Sequence, residues 1–374
     1  MTPVLRTRLI PALALLASAS ILVVGWVAWR FYQARNQPLT VEVDRLTETG
    51  ALVAREIGAE LDRWEAMAAR DDNLGSLPPA GTLLVFDTNA VIAVRGESLA
   101  YYPAIAKSEA RADDRLIRAQ AAERAGNLDK AIAEYRDAAT STARTPRALA
   151  TAGLGRTLRA KGNRGDALVA YNELAQMDEA RINTIDGHGY PAPLLAYRER
   201  QAIFLELGDT ASAERERARM DLALRGRLYM IDRQTFEFFE PALGSEPYSK
   251  SLLARADAVS TEFWPRWRAT PTGRALAGRP GYAVAAVWRP SSAGSTSIAI
   301  VAPVDVLMEQ ALNVASRLST TVALEDFEGR RIWSGGGVQG TAPISQAAPD
   351  EGSASVTLKE IGLSARLRLW LSNR

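Results

Sequence analysis

Residues 125–138 read AGNLDKAIAEYRDA, and residues 161–174 read KGNRGDALVAYNEL. Aligned on glycine, Gly126 and Gly162 lie 36 residues apart. Ala131 and Ala167 follow each glycine by five residues, and Tyr135 and Tyr171 by nine. The four-residue step from Ala to Tyr places both on one helical face. There the small residue admits a neighbouring helix and the ring fills the space beside it. Upstream of Gly162, the residues Leu154, Gly155 and Leu158 give a small-plus-apolar face to a preceding helix; Ala119 and Ala122 hold the equivalent places before Gly126. The set Gly126, Ala131, Tyr135, Gly155, Gly162, Ala167 and Tyr171 is therefore expected to pack the repeats. A weaker third unit, residues 198–220, offers Phe204, Gly208 and Ala213, with Arg217 where the tyrosine would stand.

This spacing resembles the tetratricopeptide repeat, a helix–turn–helix of about 34 residues. The interval here is two residues longer, which places extra residues in the loop around STARTP (141–146). Three units make a short solenoid over residues 111–225. Stacked helix pairs make a concave surface that takes protein segments, or they form a rigid spacer.

Ahead of the repeats, residues 9–29 contain no charge over 21 positions. A helix of that length spans roughly 30 Å, the hydrocarbon thickness of a bilayer. Arginines flank it, and Trp26, Trp29, Phe31 and Tyr32 gather at its far end. The expectation is an N-terminal transmembrane helix with the bulk of the chain outside the cytoplasm, at the inner membrane. A cleaved leader is the competing reading. In residues 43–69, Leu46, Val53, Ile57, Leu61, Trp64 and Met67 form one stripe, suited to packing on the chain's own core or to pairing with a second copy. After a break at Pro78-Pro79 and Gly81, two apolar runs flank DTNA (87–90) as a hairpin, and ESLAYYP (97–103) closes the segment.

The net charge of +2 gives no electrostatic footprint for nucleic acid. There is no cysteine, which removes disulfides, thiolate metal sites and a Cys nucleophile. The one histidine, His188, stands among Gly and Pro in a loop; a Ser-His-Asp triad would need it as the base. No phosphate-binding loop, HExxH or nucleophile elbow is present. No catalytic residue, metal or cofactor is assigned.

Residues 229–280 are an aromatic, helical connector, with Trp264 and Trp267 as core or, less commonly, a ligand cage. From Gly281 the pattern becomes strand, strand, helix, then antiparallel hairpins turning at Glu328-Gly329 and at EIGL (360–363). This implies an α+β domain with an antiparallel sheet over residues 281–374. Asp305 is placed to cap its helix.

That order, and the phrase ALEDFEGRRIW (323–333), resemble the extracytoplasmic sensor domains called Cache or PAS-like. The whole chain resembles the sensor region of a bacterial membrane histidine kinase: anchor (1–35), membrane-proximal helix and strand pair (36–108), tetratricopeptide-like repeats (109–228), connector (229–280) and sensor domain (281–374). The resemblance implies a fragment lacking the kinase core, or a free-standing protein of the same architecture. Signal input would pass from ligand or partner binding to the membrane by conformational change. The implied partners are the lipid bilayer, a second copy of the chain, a protein or small-molecule ligand, and a response regulator if a kinase core follows. Candidate pocket residues are Tyr282, Trp288, Asp326, Arg330 and Trp333. The alternative is an anchored repeat scaffold for envelope assembly.

Overall fold

The computed structural model describes residues 3–69, 77–105, 113–177, 181–183, 189–242, 249–292, 294–317, 320–336 and 353–371. The chain divides into two compact units: residues 1–60 with 307–374, and residues 61–306.

The first helix, α1 (Pro3–Ala69), is one continuous element. The expected transmembrane helix is corrected here: among the described residues, no helix is long and apolar enough to cross a membrane. Residues 9–23 of the apolar run lie outside the described side chains. Past the run, α1 continues as a charged helix through Arg30, Arg35, Glu42, Asp44, Arg45 and Glu48. The fold class is α+β with antiparallel sheets. The α1 stripe is core: Leu46, Val53 and Ile57 are buried in the first unit, and Leu61 and Trp64 in the second.

In the second unit, β1 (Thr82–Phe86) and β2 (Val91–Gly96) form the expected hairpin. Its turn is closed by Asp87, whose Oδ1 accepts from the amides of Asn89 and Ala90 at 2.7 and 2.8 Å. Six helices follow: α2 (Asp114–Arg124), α3 (Leu128–Ala138), α4 (Arg144–Ala160), α5 (Arg164–Ala175), α6 (Ala192–Glu206) and α7 (Thr210–Arg225). They pair as three hairpins, with a two-stranded ribbon of β3 (Arg181–Asn183) and β4 (Gly189–Pro191) between the second and third.

Each hairpin turns by one device. A glycine at positive φ ends the first helix: Gly126 at 74°, Gly162 at 89° and Gly208 at 74°. The next residue, Asn127, Asn163 or Asp209, caps the second helix with its side-chain oxygen. Glycine reaches that backbone region without a Cβ penalty, and the cap satisfies one orphan amide. The third hairpin obeys the same rule although its tyrosine is replaced by Arg217, which pairs with Glu214. The extra residues around STARTP are divided: Ala143 precedes α4, while Arg144, Thr145 and Pro146 form its first turn. Proline is tolerated there because those amides lack intrahelical acceptors.

The connector holds α8 (Arg233–Phe239), then α9 (Lys250–Asp257), a π-helical turn (Ala258–Phe263) and α10 (Trp264–Ala269). It leads into β5 (Gly273–Ala277), β6 (Val284–Pro290) and β7 (Ser297–Pro303). These strands join the first hairpin in a five-stranded antiparallel sheet of order β2-β1-β7-β6-β5. The seam pairs Thr82 with Val301 and Phe86 with Ser297. Two stretches read separately in the sequence are thus one sheet. Alternation fixes which face a residue takes, but not which strand lies alongside.

One face of this sheet shares a core with the connector. Phe86 stacks on Trp267 (5.1 Å) and meets Trp264 edge-on (5.7 Å), so these rings fill one another's space. Arg274 of β5 pairs with Asp62 and Glu65 at the end of α1. Arg255 of α9 ties the connector to Glu97 and to the Ala80 carbonyl.

In the first unit, which takes in the chain from Leu307, α11 (Val304–Arg317) precedes β8 (Thr320–Glu325), β9 (Arg331–Gly336), β10 (Ser353–Thr357) and β11 (Arg366–Leu371). They form an antiparallel sheet of order β10-β11-β8-β9. Asp305 sits inside the first turn of α11 rather than ahead of it. Helix α1 approaches β10 at Gly50, where a Cβ would meet Val356 at 2.6 Å, and the 3-10 turn after β10 at Gly58, where a Cβ would meet Ile361 at 3.0 Å.

Candidate functional site

The helical hairpins carry two layers. Inside, the repeat residues pack: Ala131, Tyr135, Ala167 and Tyr171 are all buried. Each ring lies against a glycine of α4. A Cβ on Gly155 would come within 2.8 Å of Tyr171, and one on Gly153 within 2.4 Å of Tyr135. The sequence pattern singled out Gly155. Gly153 emerges only from the stacking of the second hairpin on the first.

Above the rings runs a ladder of charge. Glu123 of α2 accepts a bidentate pair from Arg156 of α4, both at 2.7 Å, and a bond from the Tyr135 hydroxyl at 2.6 Å. Burial works to raise the Glu123 carboxyl, but the bonds from Arg156 and Tyr135 outweigh it and hold it below the usual carboxylate range. Burial and the Glu123 charge push the Tyr135 hydroxyl far up, so it is a donor at every working pH. One step along, Arg159 of α4 reaches Glu199 (2.7 Å) and Glu206 (2.9 Å) of α6.

Beside Arg159 opens a groove of about 470 Å³. It is lined by Arg159, Arg198, Glu199, Gln201, Ala202, Leu205, Phe238 and Pro241. Arg198, Gln201, Ala202 and Leu205 recur at three- and four-residue steps and so share a face of α6. Phe238 of α8 and Pro241 just after it form the opposite wall. The Arg198 guanidinium stands 4.0 Å from the Phe238 ring centroid, and 3.9 Å from Glu199. Phe238 is itself held by stacking on Tyr190 at 4.6 Å. Leu205 is 56% exposed and adds apolar surface beside the aromatic wall. Among the described residues, Gln201 makes no side-chain hydrogen bond. The groove therefore offers an apolar strip, a guanidinium with donors to spare and a free carboxamide.

The five candidate pocket residues fall in both units. Tyr282 and Trp288 belong to the second unit; Asp326, Arg330 and Trp333 belong to the first. Tyr282 is 39% exposed before β6. Trp288 is buried and donates its Nε1–H to the Thr270 carbonyl at 3.0 Å. Asp326 accepts from the Arg330 amide (2.8 Å) and guanidinium (2.7 Å) in the β8–β9 turn, which lowers its carboxyl despite an opposing burial effect. Trp333 is buried over Gly335. Four of the five thus have a structural task in view. His188 lies outside the described residues, and among those described no group of three or more acidic, His or Cys side chains is placed to hold a metal.

The groove itself escaped the sequence reading because its walls come from three elements, α4, α6 and the connector. The available signal was the apolar pair Leu205 and Leu207, both more than half exposed at the end of α6. No family model, no curated protein and no solved structure matches this chain.

Proposed function

We propose that this chain is a recognition module that takes an extended polypeptide segment in the α4–α6–α8 groove. The segment carries an apolar side chain against Leu205, Phe238 and Pro241, and an acidic side chain or carbonyl on Arg198 and Gln201. The observation that carries this reading is the groove's composition: an exposed leucine and an aromatic wall beside unspent donors. Small-molecule sites are usually more enclosed. Multi-helix surfaces of this kind suit protein segments.

The order of elements, helical hairpins followed by antiparallel sheets, supports placing this capture in signal input. A segment that binds one arrangement of the protein more tightly than another shifts the population toward it. The scaffold alternative needs capture without such a shift.

The test is selection of a displayed short-peptide library on the full chain. Enriched peptides are then measured by fluorescence anisotropy against Leu205→Asp. Expected are peptides pairing apolar and acidic residues, weakened by about tenfold or more in the variant. Failure to enrich, or peptides indifferent to Leu205→Asp, overturns the groove. Hydrogen exchange with bound peptide separates the two roles: signal input requires altered protection outside α4–α8, whereas a scaffold confines it there.

A further inference from the structure

A second site lies in the other unit, on the polar face of the four-stranded sheet. Strand β11 alternates Arg366, Leu367, Arg368, Leu369, and both leucines are buried on the opposite face. The register puts Arg366 between Thr357 of β10 and Glu325 of β8; it puts Arg368 between Ser355 and Ala323. Directly paired residues share a face, so two rows of side chains stand together: Thr357–Arg366–Glu325 and Ser355–Arg368–Ala323. Arg331 of β9 is paired on the far side of Glu325.

The charges in these rows do not balance. Glu325, its side chain 4% exposed, is their one carboxylate. Arg366 Nε reaches it at 3.3 Å. Arg368 Nη1 stops at 3.9 Å, beyond hydrogen-bond range. A guanidinium has five N–H donors. Arg366 spends one on a side-chain bond, and Arg368 spends none among the described residues. Both are about a third exposed (36% and 30%), so their remaining N–H groups are open to a solute. The exposed hydroxyls of Ser355 and Thr357 stand beside them, also without partners among the described residues. At the β8–β9 turn, Gly329 has φ 83°, and a Cβ there would lie 3.2 Å from Arg366 Nη2, so a side chain at 329 would crowd that end of the guanidinium.

We propose that this face binds a small oxyanion, a carboxylate or a phosphate, between Arg366 and Arg368, with Ser355 and Thr357 donating to its remaining oxygens. Paired guanidinium N–H groups match oxyanion geometry in a way that a lysine ammonium does not. Glu325 competes with the ligand for the arginines. The bland reading is that the arginine stems only cover Ala323.

Isothermal titration of the full chain separates the readings. Succinate and inorganic phosphate are the two probes, with sodium chloride at matched ionic strength as the control. A saturable one-site isotherm is expected for at least one probe, and the probe that gives it identifies the anion class. Arg368→Lys keeps the charge and the stem but loses the fork; it weakens binding by about tenfold or more. Glu325→Gln removes the competitor and tightens binding. A purely covering role leaves Arg368→Lys neutral. Absence of saturable binding by both probes, equal binding by Arg368→Lys, or weaker binding in a folded Glu325→Gln protein overturns the site.

Discussion

The helical hairpins and the five-stranded sheet solve the same packing problem with contacts of opposite range. In the hairpins each helix meets the next one in the chain, and Gly126, Gly162 and Gly208 turn every pair alike. In the sheet, the central strand β7 lies beside β1, more than two hundred residues earlier in the chain. Local contacts make stability a sum of neighbouring units, whereas long-range pairing makes every strand depend on the seam. The structure thus contains a region expected to fail piecewise and one expected to fail whole.

The strongest test is at the seam. Ile300 is fully buried on β7, opposite Leu83 of β1 and Val287 of β6. Ile300→Ala should cost about 3 kcal/mol in urea unfolding. Amide protection should fall in β1, β2, β5 and β6 together. Protection lost on one side of β7 only would break the contrast.

In the hairpins, Gly153→Val forces a side chain into the Tyr135 ring and should cost about 2 kcal/mol, the range for overpacking. The protection lost should be confined to α2–α5, sparing the sheet. A uniform loss across the second unit would show the hairpins to be as cooperative as the sheet. Restoring room with Tyr135→Ala should recover part of the loss specific to valine.

The smallest expected effect is on pH dependence. The native Glu123 carboxyl titrates below its ordinary value of 4.5. The unfolded chain therefore takes up the proton first as pH falls. The stabilisation is fully present above about pH 4.5 and is lost as pH drops through the native value. Glu123→Gln should be less stable than the parent at neutral pH, with the gap narrowing in acid. A gap constant from pH 7 to pH 3 would remove the ion pair with Arg156 from the account of how the first two hairpins are joined.

The same contrast explains what could be read early. Gly126 and Gly162, with the alanines and tyrosines after them, encode helix, turn and helix within a few residues, and Asn127 and Asn163 add the cap. Glu328-Gly329 and Gly362 mark their turns because φ near 80° is a local demand. The apolar run at the front shows the limit of such reading: length and absence of charge suggested a membrane span, but among the described residues no helix meets that requirement, and α1 continues as a charged helix with a buried stripe.

The amino-acid sequence by itself determined the hairpins, their turns, the strand alternation and the buried stripe of α1. All of these follow from periodicity and from backbone preferences that act over a few residues. Only the tertiary structure decided that β1 lies beside β7, that Gly153 seats Tyr135, that Phe238 walls the α6 groove and that Arg366 and Arg368 share one acid. Those outcomes depend on which distant surfaces exclude water together, and neither spacing nor composition carries that information.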